Sequence, residues 1–527
     1  MVGVTASLAP AGALQSAVTI QLGIVVAYLL LALGVGLVAY RLTDRTAEDY
    51  YLASRTLGTV VLLFTTFATL LSAFTFFAGP NIAYGLGPEW ILVMGLMDGI
   101  IFGVLWYVVG YKQWLVGKAH GYVTLGEMLG DRFGSPVLRA TVALVSLFWL
   151  FPYVMLQQVG AGGALSALTN GAVPYWAGAG LITVFMIVYV VLSGMRGVAW
   201  TDTLQGLFML TMVWAAFVWV LSAVGGIGAA TDAMASANPE FLALGDGSSS
   251  PSLFGGGAYS LPWMLSQAIG IAFGVAMFPQ VNQRFFVADS ETVLKRTMAL
   301  WPVVVLLLFV PAFMLGAWAA GLGVAMPESG NILPGLLAEY TPTWFAALVV
   351  AGAMAAMMSS SDSMLLSGSS YFTRDLYRPF VNVDASERRE DLIARVGVAV
   401  FATLAFVASL FNPPSLFVIG DTAFGGFAQL APPVIVALYW SRTTLSGMFA
   451  AILGSQLFYM VTTFTPAAGE TMTVLGVVVP GVVENFAGWS SSVVGMVVGL
   501  LLVVGVSSVT SASVAEQPSV LEGPTDD

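Results

Sequence analysis

The sequence predicts an all-α membrane protein with thirteen transmembrane helices. Three observations carry that prediction: an extreme apolar bias, apolar runs of membrane-spanning length, and basic residues confined to alternate loops. Of 527 residues 58% are hydrophobic and only 9% charged, against roughly a quarter charged in ordinary soluble domains, which excludes a water-soluble globular fold. Apolar runs of about 20 residues match the ~30 Å of hydrocarbon that a helix must cross. Lipid offers no partners to bare amides, so each run must be helical. The short alternating segments of a transmembrane β-barrel are absent.

The apolar segments fall near 17–40, 56–86, 88–110, 137–162, 173–193, 203–226, 258–283, 298–322, 343–370, 392–412, 415–440, 444–464 and 488–508. Inner loops of a membrane protein concentrate Lys and Arg, so the charges test this division. With the N-terminus outside, Arg41, Arg45 and Arg55 follow the first segment, and Lys112, Lys118, Arg132 and Arg139 follow the third. Arg196 follows the fifth, and Arg284, Lys295 and Arg296 the seventh. Arg374, Arg378, Arg388, Arg389 and Arg395 follow the ninth, and Arg442 the eleventh. All 17 basic residues fall on one side, and the opposite loops 227–257, 323–342 and 465–487 hold none. A miscounted segment would scramble this alternation downstream of the error.

Two segments read as interrupted. The second carries Thr65, Thr66, Thr69, Ser72 and Thr75 and then Gly79-Pro80; the seventh carries Gly270, Gly274 and Pro279 followed by Gln280, Asn282 and Gln283. Broken helices at matching positions of two inverted repeats are a transporter signature, whereas Gly, Ser and Thr taken singly allow close helix contact. The two are five segments apart, an odd number, so repeats beginning there run in opposite directions. The division is then 1–55, a peripheral span and inner loop; 56–440, a core of five-plus-five inverted repeats at about 56–226 and 258–440; 441–508, two further peripheral spans; and 509–527, an acidic tail expected to be disordered and cytoplasmic. Loop 227–257 has room for a short surface helix.

The chemistry excluded is as informative. There is no cysteine, hence no disulfide, thiolate metal site or cysteine nucleophile. His120 is the only histidine, which argues against zinc sites and histidine triads. The run from Gly110 through Gly117-Lys118-Ala119 lacks the spacing and the Ser/Thr of a phosphate-binding loop, so uphill transport would draw on an ion gradient. Nothing points to an enzyme, an organic cofactor, nucleic acid or an obligate protein partner. The partners expected are the lipid bilayer, a small solute and an ion.

Asp98, Asp202, Asp362 and Asp421 lie in or at the edge of segments, and no Lys or Arg is expected deep in a segment to pair with them. An unpaired carboxylate in hydrocarbon costs several kcal/mol, so each is protonated, hydrated or bound to a cation. The ninth segment reads Ala355-Ala356-Met357-Met358-Ser359-Ser360-Ser361-Asp362-Ser363. Hydroxyls one turn apart among small neighbours suit a hard cation that takes oxygen ligands.

The stretches Asp49-Tyr50-Tyr51-Leu52-Ala53-Ser54-Arg55, Gly121-Tyr122-Val123-Thr124-Leu125-Gly126-Glu127 and Gly197-Val198-Ala199-Trp200-Thr201-Asp202 with Gln205, joined by Gln283-Arg284 and Met358-Ser359-Ser360, resemble the sodium:solute symporter family, from about Asp49 to Trp440. The resemblance implies the leucine-transporter fold, thirteen spans, an external N-terminus, and sodium-coupled symport of a small organic solute into the cell by alternating access. A proton-coupled symporter of the same fold, or a sensor or channel that keeps the fold, is the alternative. It further implies a sodium site of the carbonyls of Ala68, Leu71 and Ala356 and the hydroxyls of Ser359 and Ser360, and a second cation site at Asp202, Ser359, Asp362 and Ser363. Ser72, Thr75 and Phe76 would face the substrate, with Gln157, Gln158, Gln267 and Asp421 nearby. Gly274 stands where sugar-carrying relatives place an aromatic gate, so a monocarboxylate, a pantothenate-like acid or an amino acid such as proline is expected over a sugar.

The one-sided basic residues make a direct prediction. In this cysteine-free chain, cysteines introduced at Ser249 and Ala467 should react with an impermeant thiol reagent from outside intact cells, and one at Ser386 only after the membrane is opened. The reverse pattern would invert the orientation.

Overall fold

The computed structural model describes residues 11–41, 55–242, 260–411, 413–465, 471–474, 477–480 and 486–511. The Asp49–Ser54 stretch, the test positions Ser249 and Ala467, and most of the acidic tail lie outside them. Ten helices in the described residues are long and apolar enough to cross a membrane, from Gln15–Val38 to Ser491–Val509. Two more crossings are bent pairs: Thr59–Leu70 with Phe74–Leu86, at 63°, and Leu261–Ala276 with Pro279–Phe286, at 58°. These are the second and seventh segments. The fifth is a shorter apolar helix, Tyr175–Val191, so length and composition support up to twelve crossings and the expected thirteenth rests on it.

The predicted loop between the fifth and sixth segments is helical instead: Tyr175–Val224 is one run of 50 residues. It bends sharply, because Tyr189 Oη hydrogen-bonds Thr201 Oγ1 twelve residues on, a distance of about 18 Å along a straight helix. Loop 227–257 does carry a helix, Ile227–Ala237. Loop 323–342 carries an unanticipated one, Ile332–Tyr340. The all-α reading holds except for an antiparallel hairpin of Thr471–Val474 and Val477–Pro480, two short strands rich in Val and Thr.

The ninth segment, Thr343–Ser370, is the central post. In its most apolar window 83% of residues are buried, against 22% in the first segment, so it packs on protein on nearly every side while the first faces lipid. Leu31, Leu144, Val184, Val218 and Leu457 are exposed on the rim of the bundle, where hydrocarbon rather than water would cover them.

The two breaks have different causes. Pro279 opens the second half of the seventh segment and forces Phe278 into extended backbone, φ −60°, ψ 134°, as a residue before proline prefers. In the second segment Gly79-Pro80 does not make the break. The helix stops at Leu70, Leu71 is extended at φ −84°, ψ 116°, and the chain resumes as a π-helical turn over Phe74–Ala78 that passes into Gly79–Leu86 with Pro80 in its first turn, where a missing N–H costs nothing. Gly79 is there for contact: a Cβ would lie 2.1 Å from the Phe313 ring, and one on Gly316 would lie 2.2 Å from the Pro80 carbonyl.

On the side that carries the basic residues, the Gly121–Glu127 stretch forms a buried clamp. Gly121, at φ +76°, ends one helix; Thr124 and Glu127 then form a capping box for the next, satisfying free amides of its first turn. Glu127 accepts from Arg139 at 2.9 Å and Arg374 at 2.6 Å, and Arg139 also donates to Asp375 at 2.7 Å. Burial opposes ionisation of Glu127, yet the two guanidiniums hold its carboxyl below the usual carboxylate range. The clamp joins the end of the ninth segment to the loop before the fourth. Breaking a buried pair costs roughly 3–5 kcal/mol. Glu127→Ala should therefore lower the unfolding temperature in detergent by several degrees, checked by differential scanning fluorimetry, with Glu127→Gln intermediate because it keeps the capping acceptor. No loss in either variant would mean the clamp carries no stability.

Candidate ion and substrate site

Interrupting a helix frees the carbonyls of its last turn and the amides of the next first turn. At the break in the second segment these groups lie in a dry core. Gln157 Oε1 accepts from the Ala73 amide at 2.9 Å, and Ser72 Oγ from the Phe74 amide at 3.2 Å. Across the gap, Ser360 Oγ donates to the Leu71 carbonyl at 2.9 Å. Ala68, Leu71, Ala356, Ser359 and Ser360 are all buried, and the Ser360–Leu71 bond brings the freed carbonyls of the second segment against the hydroxyls of the ninth.

Below this lies a polar cluster built on Asp202. Its Oδ1 accepts from Ser359 Oγ at 2.5 Å. Its Oδ2 accepts from Thr65 at 2.6 Å, from Thr69 at 3.4 Å and from Arg284 Nη2 at 3.1 Å. Ser363 Oγ joins Thr69 at 2.9 Å and takes Arg284 Nη2 at 2.5 Å. This corrects two expectations. An arginine does lie deep in the core: Arg284 and Asp202 are both fully buried and form an ion pair. The premise that Asp202 and Asp362 meet without a basic partner therefore fails for Asp202. The reason is topological. Arg284 reads as an inner-loop residue because it follows Pro279, but Pro279–Phe286 folds back into the core as a half-helix. Its flanks, Val281, Phe285 and Phe286, are the one signal that would have shown it. Asp362 stays unpaired, with Oδ1 buried and without a partner.

The expected substrate residues separate into two groups. Ser72, Thr75, Phe76 and Gln157 gather at the break and are buried. Gln158 turns away, donating to Thr183 Oγ1 and the Ala402 carbonyl at 3.0 Å each. Gln267 lies on the helix face where Gly270 meets Ser492 and Gly274 meets the Phe424 carbonyl, with its Oε1 unpartnered. Asp421 stands one turn before Gly425, which abuts Tyr459, and next to Gly420, which abuts Phe74. Tyr153 is the residue that sequence reasoning missed. Its hydroxyl meets Ser72 Oγ at 3.0 Å, and its ring lies 5.0 Å from Phe278 and 5.3 Å from Phe424. It bridges the two breaks and supplies an aromatic wall that Gly274 cannot. Asp98 sits in a π-helical turn, Ile91–Asp98, away from these contacts.

The model of the sodium:solute symporter family matches residues 50–454. The chain belongs to that family. It is 28% identical over 444 residues to the sodium/pantothenate symporter of Escherichia coli (strain K12), covering 83% of this chain and 89% of that one. It is likewise 28% identical over 443 residues to the sodium/proline symporter of Haemophilus influenzae, covering 80% and 83%. In fold it is similar to a sodium-coupled sialic acid symporter solved in a substrate-bound, outward-open state, with TM-score 0.71 at 21% identity over 94% of this chain and 98% of that one. Family membership makes the chain a sodium-coupled symporter of a small solute embedded in a membrane by many helices, and not an enzyme.

Gln157 gives the site a test that does not require the substrate. Gln157→Ala leaves the Ala73 amide buried and unpaired, at about 1–3 kcal/mol. The variant should unfold several degrees below wild type, and Gln157→Glu, which keeps an acceptor oxygen, should recover most of the loss. Equal stability of Gln157→Ala and wild type would remove Gln157 from the break.

Proposed function

We propose that this symporter carries a small organic acid or amino acid inward with sodium, through thirteen spans arranged as two inverted repeats, the N-terminus outside and the C-terminus cytoplasmic. The observation that carries the reading is the break at Leu71–Ala73 facing Ser359 and Ser360. Carbonyls freed by the break and two hydroxyls on the opposing helix make an oxygen cage suited to sodium, with Ala68, Leu71, Ala356, Ser359 and Ser360 as its ligands. The Ser360–Leu71 hydrogen bond holds the two faces together, and an ion would take its place by drawing both oxygens inward.

The substrate class follows from the other end of the break. The amides of Ala73 and Phe74 are capped by Gln157 and Ser72, and helix-start amides favour anions. A carboxylate would exchange for those caps, with Tyr153, Phe278 and Phe76 forming an apolar wall for the rest of the molecule. Pantothenate and proline, the solutes of the two relatives, each carry a carboxylate. Asp202, Ser359, Asp362 and Ser363 form a second cation station on the path from the main site to the cytoplasm. The two bent helices five segments apart, and the single-sided basic residues, support the repeat and the orientation.

Purified protein in liposomes should take up pantothenate, proline or a short monocarboxylate only with an inward sodium gradient, and amide analogues that lack the carboxylate should lose at least tenfold in uptake. Ser359→Ala with Ser360→Ala removes two of about five oxygen ligands and should raise the sodium concentration for half-maximal uptake at least tenfold. Sodium-independent uptake by wild type, or unchanged sodium dependence in a folded double variant, would overturn the reading.

A further inference from the structure

The position of Arg284 carries a consequence for how ion binding and helix movement are joined. Its Nη2 lies 3.1 Å from Asp202 Oδ2, 2.5 Å from Ser363 Oγ and 3.3 Å from Thr65 Oγ1. Two of those three groups are ligands of the second cation station. A guanidinium nitrogen and a metal ion cannot share that place. The arginine is also poorly served there: Nη1 reaches only the Gln280 carbonyl of its own helix, at 3.2 Å, and Nε is buried with no partner. A guanidinium offers five N–H donors, so part of its hydrogen-bonding capacity is forfeited in a fully buried site. Asp362, with a partnerless buried oxygen, forfeits part of its own beside it. Asp202 has Arg284 as its partner, and the Asp362 carboxyl beside it has no cation.

We propose that Arg284 is a tethered cation. It stands in the second station when no ion is there and withdraws when sodium binds, so that ion occupancy at Asp202 and movement of the half-helix Pro279–Phe286 are one event. The mechanical link is short. Arg284 sits in the last turn of that half-helix, which is bent 58° from Leu261–Ala276 and hinged at Met277–Phe278. The same half-helix is tied to the rest of the basic side by Arg55, which donates to the Phe286 carbonyl at 3.1 Å and the Tyr122 carbonyl at 2.9 Å. Releasing the Asp202 pair therefore loosens the element that closes this side of the protein. The neighbours facing the pair are Thr65 and Thr69 from the second segment, Ser359, Asp362 and Ser363 from the ninth, and Gln205 with Tyr28 (bonded to each other at 2.9 Å) from the sixth and first. None is basic, so Arg284 has no substitute as the local positive charge.

This inference rests on the second station proposed above, and the test separates the two. Sodium binding to purified protein without substrate is measured by titration and by radioactive sodium counting, for wild type and Arg284→Gln. Removing a unit charge a few Å from the ion is worth well over a factor of ten even at the effective dielectric of a protein surface. Arg284→Gln should thus bind its second sodium at least about tenfold more tightly, with the first site unchanged. One sodium per chain in both proteins would remove the station itself. Two per chain with equal or weaker second-site affinity in Arg284→Gln would leave the station and overturn the tethered cation, making Arg284 a fixed structural partner. Should that variant not fold, wild type and Ser360→Ala decide the matter by hydrogen exchange. Sodium, against choline at equal ionic strength, should speed exchange of the amides in 280–286 in both, and Asp362→Asn should abolish the effect. Protection or no change in 280–286 would overturn the proposal.

Discussion

The structure turns on one constraint: a helix is interrupted where no water can repair the damage. Between Leu70 and Phe74 the second segment gives up its own hydrogen-bond ladder inside a dry core, and every freed group must find a partner from another element. Gln157 from the fourth segment, Ser72 from within the break, Tyr153 against Ser72, and Ser360 from the ninth segment meet that demand. Each is a neutral group that can exchange its bond for a stronger one to an ion or a carboxylate. The break is therefore the structural liability and, on the function proposed above, also the source of the binding chemistry.

The same logic holds for charge. Asp202 is buried completely and is tolerable only because Thr65, Thr69, Ser359 and Arg284 converge on its two oxygens. A buried pair is weak evidence for stability, since desolvation offsets most of the attraction. Its value here is positional. Asp202 ties together the second, sixth, seventh and ninth segments, and Ser359 is shared between that cluster and the face that meets Leu71. A single hydroxyl, that of Ser359, therefore belongs to both places.

Close helix contact sets how far these groups can approach. Gly274 lies against the Phe424 carbonyl, Gly420 against Phe74, Gly160 against Ala73 and Gly316 against Pro80, each with a would-be Cβ within 2.5 Å of its neighbour. A methyl at any of them would push apart the helices that carry the breaks. The aromatic rings of Tyr153, Phe278, Phe424 and Phe74 fill the space that remains. Small residues bring the backbones together, and aromatic residues decide the shape of what is left between them.

The sequence by itself determined the class of the protein, its apolar segments, which two of them are broken, and the oxygen-rich faces of the second and ninth segments. These follow from hydropathy, from proline and glycine chemistry, and from residue types that lipid tolerates only for a purpose. It marked the second segment as broken without fixing where: Gly79-Pro80 stands among the marks but the interruption occurs at Leu71, because a proline in the first turn of a new helix and a proline that breaks one look the same in one dimension. It also left Arg284 in a loop, placed Gln158 with the substrate residues, and had no reason to choose Tyr153. Those three were decided by how half-helices fold back and which face each presents to its neighbours. A local pattern records what a residue needs, a partner for its hydrogen bonds or cover for its apolar surface, and only the packed bundle decides which neighbour supplies it.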